Sequence, residues 1–266
     1  IFKNQPLNKK LEKTIQLKKI SKEPAPRVPE LTLEKHTDNP IISPRPENGW
    51  EAWQTFNPAA ILINDKVYFL YRAIGDDGIS RFGYAMSKDG FKINERLPYP
   101  VYEHEINIGF YICKYPSGGS IGGCEDPKMT RVGDEDRIYV TYTGCDGGLR
   151  IALTSIKVDD FLNKKWNWKK PVIISPPGEN HKNWVIFPEK INGKYAILHS
   201  INSGKILIDY FDNLDFKDGE YINSKYQLTE VRMDRWDTKV RGAGPPPIKT
   251  KRSEERRVGK ECSLPC

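Results

Sequence analysis

A proline followed by an apolar stretch, a tight polar turn and a second, aromatic-rich stretch occurs three times along this chain and begins a fourth time. "NPAAILINDKVYFLYRA" holds Pro58, a turn at Asn64-Asp65 and the alternation Val67 to Tyr71. "DPKMTRVGDEDRIYVTYTG" holds Pro127, a turn at Gly133 to Asp136 and the stretch Arg137 to Tyr142. "FPEKINGKYAILHS" holds Pro188, Asn192-Gly193 and Tyr195 to Leu198, and "GPPPIKT" begins a fourth copy at Pro246. The prolines are 69, 61 and 58 residues apart. Each copy is strand, short turn, strand, which is hairpin chemistry. Further strand-like segments, "SRFGYAMS", "GLRIALTSI" and "KILIDYF", follow the first three. A unit of about 60 residues with three or four strands, repeated around an axis, predicts an all-β fold and the blade of a β-propeller. A β-sandwich is the competing arrangement, but it needs no recurring proline-plus-hairpin signature.

Around this repeat region the chain divides into three. Residues 1–35 are a basic arm with nine Lys/Arg against four Glu; a short helix is expected near Leu11 to Lys19, then a Pro-rich linker. Residues 36–251 carry the repeats. Residues 252–266, beginning "RSEERRVGKEC", break off the fourth copy where its hairpin should come. They resemble a translated sequencing adapter and are set aside as non-native, with the natural chain expected to continue beyond Thr250. The first residue is Ile1, so a natural start further upstream is also expected. Most of the net charge of +7 belongs to the arm, which argues against nucleic acid as partner. No apolar run approaches the roughly 18 residues of a membrane span. Five cysteines, at 113, 124, 145, 262 and 266, show neither CxxC nor zinc spacing, so reduced thiols and a cytoplasmic protein without a metal centre are expected.

The stretch "GGCEDPKMTR" places two adjacent carboxylates, Glu125 and Asp126, between a glycine pair and a proline. These are ordinary turn formers. Proline also restricts the residue before it, so Asp126 is expected to be extended and stiffly held at a strand entrance. If the repeats surround an axis, equivalent positions meet there. The residues beside the repeated prolines are Asn57, Asp126, Phe187 and Pro245, joined by Arg72 and Arg81 from the first copy. An Asp beside Arg and Asn in a cleft is a proton donor or acceptor of tuned acidity. Trp50, Trp53, Trp184 and Trp236 are aromatic faces that suit a sugar or pack between strand groups. The glycines at 118, 119, 122 and 123 lack the Lys-Ser/Thr of a phosphate-binding loop, so no nucleotide or other cofactor is expected.

Taken in order, "FNPAAI…YFLYRA…SRFGYAMSKDG", "GGCEDPKMTRVGDEDRIYVTYTG", "HKNWVIFPEKINGKYAILH" and "WDTKVRGAGPPPIKT" resemble glycoside hydrolase family 130, over about Asn39 to Thr250. The resemblance implies a five-bladed propeller, here incomplete with about four blades represented. It implies an enzyme that cleaves β-mannosides by inverting phosphorolysis or by hydrolysis; a non-catalytic glycan-binding propeller is the alternative of another class. Asp126 matches the family's proton donor, acting by relay through a sugar hydroxyl. Asn57 and Arg72 match residues that hold the mannosyl unit where the bond breaks. Arg81, Glu51 and Glu125 are weaker candidates for the same pocket.

Inverting hydrolysis needs a second carboxylate about 6.5–9.5 Å from the first to activate water. Phosphate is already a nucleophilic anion and needs cations instead; Arg150, His181, Lys182 and Arg241 are the candidates. The implied partners are a β-mannoside-containing glycan and inorganic phosphate as co-substrate, with an oligomer left open. Two departures matter. Several phosphorylases carry an Arg where this chain reads "LHSI" with Ser200, and the blade that should follow Thr250 is not in the sequence.

Overall fold

The turns named above close the hairpins that they predict. The computed structural model describes residues 34–104, 118–145, 148–201, 205–223, 242–249 and 255–256. Asn64 and Asp65 both have positive φ, 49° and 58°, as do Asn192 and Gly193 at 50° and 79°. Two left-handed residues in succession match the right-handed twist of the flanking strands, and Asn, Asp and Gly tolerate that conformation best. The chain divides into Ile1–Thr37 and Asp38–Cys266. The expected helix near Leu11 lies outside the described residues, and the second unit carries the architecture.

Three antiparallel groups follow one another. The first is β1 (Gln54–Ile63), β2 (Lys66–Ile74), β3 (Ile79–Ser87) and β4 (Ile93–Arg96). The second is β5 (Gly122–Arg131), β6 (Arg137–Cys145), β7 (Leu149–Lys157) and β8 (Val172–Ile173). The third is β9 (Val185–Ile186), β10 (Tyr195–Ile201) and β11 (Lys205–Phe211). A two-residue parallel contact, Ile79↔Gly122 and Ser80↔Gly123, joins the starts of β3 and β5, so the first two groups form one eight-stranded sheet. One five-residue helix, Val158–Leu162, follows β7 and has no counterpart in the sequence reading.

The cores lie between successive groups. On β2, Tyr68 and Leu70 point to one face and pack with Phe82, Tyr84, Cys124, Met129, Val140 and Tyr142, the interior shared with the second group. Phe69, Tyr71 and Ala73 point the other way into a second cluster. This is the two-residue period of a strand buried on both sides. Arg72 keeps the parity of Tyr68 and Leu70, which aims a cation at the second group. Ile151 and Leu153 of β7 pack on Trp184, Ile186 and Ile197, and Val185 and Ala196 pack on Ala243.

Two expectations change. Among the described residues the fourth copy contributes β12 (Ile248–Lys249), paired with β13 (Glu255–Arg256), and no sheet closes on itself. β13 falls in the segment set aside as non-native, where a backbone pairing needs no side-chain pattern; the rest of 257–266 lies outside the described residues. Cys145 is disulfide-bonded, its partner also outside them, so the expectation of reduced thiols fails there. Sequence spacing is silent on it because strands, not a CxxC turn, determine where a buried thiol ends up. Cys124 is free and buried.

Candidate active site

The pairing of β1 with β2 jumps from Phe56↔Arg72 to Ala59↔Leu70, and that of β5 with β6 jumps from Glu125↔Thr143 to Lys128↔Thr141. Asn57-Pro58 and Asp126-Pro127 are therefore β-bulges, two residues opposite one, at matching places in two groups. Proline has no N–H for the ladder, so the chain bulges where it would be needed. Asn57 and Asp126 take φ of 45° and 50°. This corrects the expectation that Asp126 is extended: the bulge overrides the usual bias before proline, and Asn and Asp are the side-chain-bearing residues that best tolerate it. Such strain costs of order 1–3 kcal/mol per residue and concentrates at functional sites.

The glycine pair ahead of the carboxylates now has a reason. Gly123 has φ 101°, and a Cβ built on it would lie 2.1 Å from the Ser80 backbone oxygen. Only a glycine lets β5 approach β3 closely enough for Arg72 to reach across. Gly123→Ala is expected to lower stability by roughly 2–5 kcal/mol, strain and overpacking together, read from a urea melt. A loss under about 0.5 kcal/mol, the level of a neutral surface change, would show that the strands part at no cost.

The two bulges bring their side chains together. Asn57 Nδ2 donates to Asp126 Oδ1 at 2.9 Å, and Arg72 Nη1 donates to the same oxygen at 3.1 Å. Arg72 Nε donates to Ser80 Oγ and Nη2 to Ser120 Oγ, both at 2.9 Å, and Nη2 lies 3.1 Å from Glu125 Oε1. Ser120 Oγ in turn donates to Glu125 Oε1 at 2.9 Å, and Lys182 Nζ donates to Glu125 Oε2 at 3.1 Å. The guanidinium also stacks 4.6 Å from the Phe56 ring centre. Glu125 is fully buried and Asp126 is 8% exposed. Burial alone would push the Asp126 carboxyl up; Arg72, Lys182 and the Asn57 hydrogen bond outweigh it, and the net direction is down. Asp126 is thus a carboxylate in the free protein.

The other candidates are placed as follows. Lys182 joins the cluster through Glu125. Arg81 does not: it pairs with Asp77 at 2.7 Å and Glu103 at 3.2 Å. Glu51 is fully buried and holds Tyr71, Asn48 and Arg96, bracing the turn Gly49–Glu51 against β2. Arg150 donates to Ser175 and lies over the Tyr221 ring. Register runs Cys124↔Gly144↔Arg150, two strands or about 10 Å across. His181 is buried against Trp184, with Nε2 3.2 Å from Glu179. Arg241 and Trp236 lie outside the described residues.

Sequence reasoning missed Ser80, Ser120 and Phe56, which fix Arg72; a serine carries no spacing signal. It also missed the buried His199–Asp209 pair, 3.0 Å apart beside Trp184. A cavity of about 320 Å³, lined by Arg137, Tyr139, Lys169 and Leu214 among others, lies toward the opposite end of β6 from Thr143. It lacks convergent buried charges; the Asp126 cluster has them and is the stronger site.

A family model described as beta-1,4-mannooligosaccharide phosphorylase, of glycoside hydrolase family 130, matches residues 28–254. The chain belongs to glycoside hydrolase family 130. Its members are glycoside phosphorylases and hydrolases, so the chain is an enzyme of that kind, and the Asp126 cluster is the candidate for its site. The chain is 33% identical to a 1,2-beta-oligomannan phosphorylase of Thermoanaerobacter over 83% of its own length and 69% of the relative's. It is 30% identical to a beta-1,2-mannobiose phosphorylase of the same organism over 63% of its length, and there spans 54% of the relative. Among solved structures, beta-1,2-mannobiose phosphorylase from Listeria innocua superimposes with a TM-score of 0.56 at 21% identity, over 81% of this chain and 71% of that one. This likeness is one of fold.

Proposed function

We propose that the three strand groups are blades of a five-bladed propeller and that this family 130 enzyme cleaves β-mannosides with phosphate as the nucleophile. The hydrogen-bonded cluster Asn57–Asp126–Arg72–Glu125–Lys182 carries the reading. It offers one carboxylate at the surface of a buried charge network. The second carboxylate, Glu125, has its oxygens taken by Arg72, Ser120 and Lys182. A carboxylate so occupied is a poor base for water, and inverting hydrolysis needs one. Phosphate needs cations, and Lys182 and Arg150 are candidates for holding it.

The chemistry balances without a further base. The bond from the anomeric carbon to the leaving oxygen breaks, a bond from phosphate oxygen to that carbon forms, and the leaving oxygen gains a proton. Asp126 supplies that proton, directly or through a sugar hydroxyl, after taking one up. A sugar seated on it removes its remaining contact with water, and that desolvation moves its carboxyl back up toward protonation. Asn57 and Arg72 fix Oδ1, which leaves Oδ2 for the proton.

The relatives' names specify β-1,2 linkages, the family model's description β-1,4. Incubation with β-1,2- and β-1,4-mannobiose is expected to release product from at least one; cleavage of neither would overturn the mannoside reading. Hydrolysis on the same scaffold is the second reading. Ser200, at the place where several phosphorylases carry an arginine, favours it.

A further inference from the structure

We propose that Trp53 is the platform for a second sugar unit, next to the one whose bond breaks at Asp126. Trp53 is 51% exposed, alone among the described tryptophans in being exposed. The others are used elsewhere. Trp50 stacks on Tyr71 and donates to the Pro98 carbonyl, Trp184 is buried, and Trp166 and Trp168 pack against the first core.

The position of Trp53 is built, not incidental. Its backbone N–H donates to the Ile74 carbonyl at 3.1 Å, which ties it to the end of β2. Its six-membered ring rests on the turn Gly118-Gly119, whose φ angles are 56° and 91°. A Cβ on Gly119 would lie 3.2 Å from Trp53 Cη2, and one on Gly118 would lie 3.1 Å from Arg72 Nη1. Two consecutive left-handed glycines therefore fold the backbone down onto the indole and the guanidinium together. The next residue, Ser120, binds both Arg72 and Glu125. The exposed indole is thus one turn away from the charge cluster, braced from behind and open in front.

An aromatic face with a free edge suits a sugar. The CH face of a pyranose stacks on the ring, and the indole N–H, which has no partner among the described residues, can donate to a hydroxyl. The indole adjoins Gly119, Gly118 adjoins Arg72, and Arg72 binds Asp126, so an oligosaccharide anchored at Asp126 has a next unit to offer this face, which a single mannose lacks. This inference rests on the mannoside reading and deepens it into preference for chains over single sugars.

The test is calorimetric titration of mannose and of β-1,2- and β-1,4-mannotriose, without phosphate, into the full chain carrying Asp126→Asn, which slows turnover. Trp53→Ala and Trp53→Phe are compared in that background, and shared melting temperatures show that the variants fold. Trp53→Ala is expected to weaken the bound mannotriose about tenfold, some 1.4 kcal/mol. Mannose is expected to move less than twofold, and Trp53→Phe to restore most of the trisaccharide affinity. Equal mannotriose affinity with and without the indole would overturn the platform alone. Failure of the intact Trp53 protein to bind either trisaccharide would overturn the mannoside reading, and the platform with it.

Discussion

Asp126→Asn is expected to reduce turnover by about 10²–10⁴, the usual worth of a positioned proton donor. The change is close to isosteric. The amide oxygen can still accept from Asn57 and Arg72 in place of Oδ1, so the bulge and its hydrogen bonds have no reason to collapse. What disappears is the acidic carboxyl proton. The melting temperature should therefore fall only by the share that the ionised Asp126 supplies beside Arg72, while kcat falls by orders of magnitude and substrate affinity changes little. Near-normal turnover would remove Asp126 from the chemistry and leave the bulge a purely structural device.

Arg72→Leu is expected to fail differently, by loss of both fold stability and activity. Arg72 is 1% exposed and serves Asp126, Glu125, Ser80 and Ser120 at once. Removing it leaves Glu125, wholly buried, with Ser120 and Lys182 alone. Breaking a buried pair by deleting one partner costs about 3–5 kcal/mol, since an uncompensated charge stays behind. Arg72→Lys should recover little, because one ammonium cannot reproduce the planar fork. Equilibrium urea denaturation measures it; a loss below about 1 kcal/mol would fit only an exposed pair, and would mean the network is not desolvated. The pH dependence gives a second reading. The Asp126 carboxyl is held below its ordinary value, so its contribution to stability is present above the unfolded carboxylate range and lost as pH falls through the folded value. In Arg72→Leu the Asp126 share of that acid-side loss should shrink.

The repeated hairpins were legible because turn chemistry is local: Asn64-Asp65 and Asn192-Gly193 need left-handed backbone wherever they occur, and the sequence offers residues that permit it. The meeting of Asn57, Arg72 and Asp126 was legible from the equivalence of the two prolines. The conformation of Asp126 was not, since proline's bias on its predecessor is a local rule and the bulge is a property of two paired strands. Arg81 and Glu51 went elsewhere for a related reason. Each is an ionisable residue near the first repeat, and which carboxylate or cation it meets depends on cross-strand neighbours that spacing does not encode. Ser80 and Ser120 carried no signal, yet without them Arg72 would lack half its partners. The phosphate candidates were least legible: Arg150 is fixed by β7 but turned toward Ser175, and Lys182 follows a loop whose course no period constrains.

The proposed nucleophile is phosphate, not water. Phosphorus NMR of the full chain with a β-mannoside and inorganic phosphate tests it most directly. A new phosphomonoester signal, that of mannose 1-phosphate, is expected to grow as the inorganic phosphate signal falls, with no mannose release when phosphate is withheld. Free mannose accumulating at the same rate with and without phosphate, with no new phosphorus signal, would contradict it.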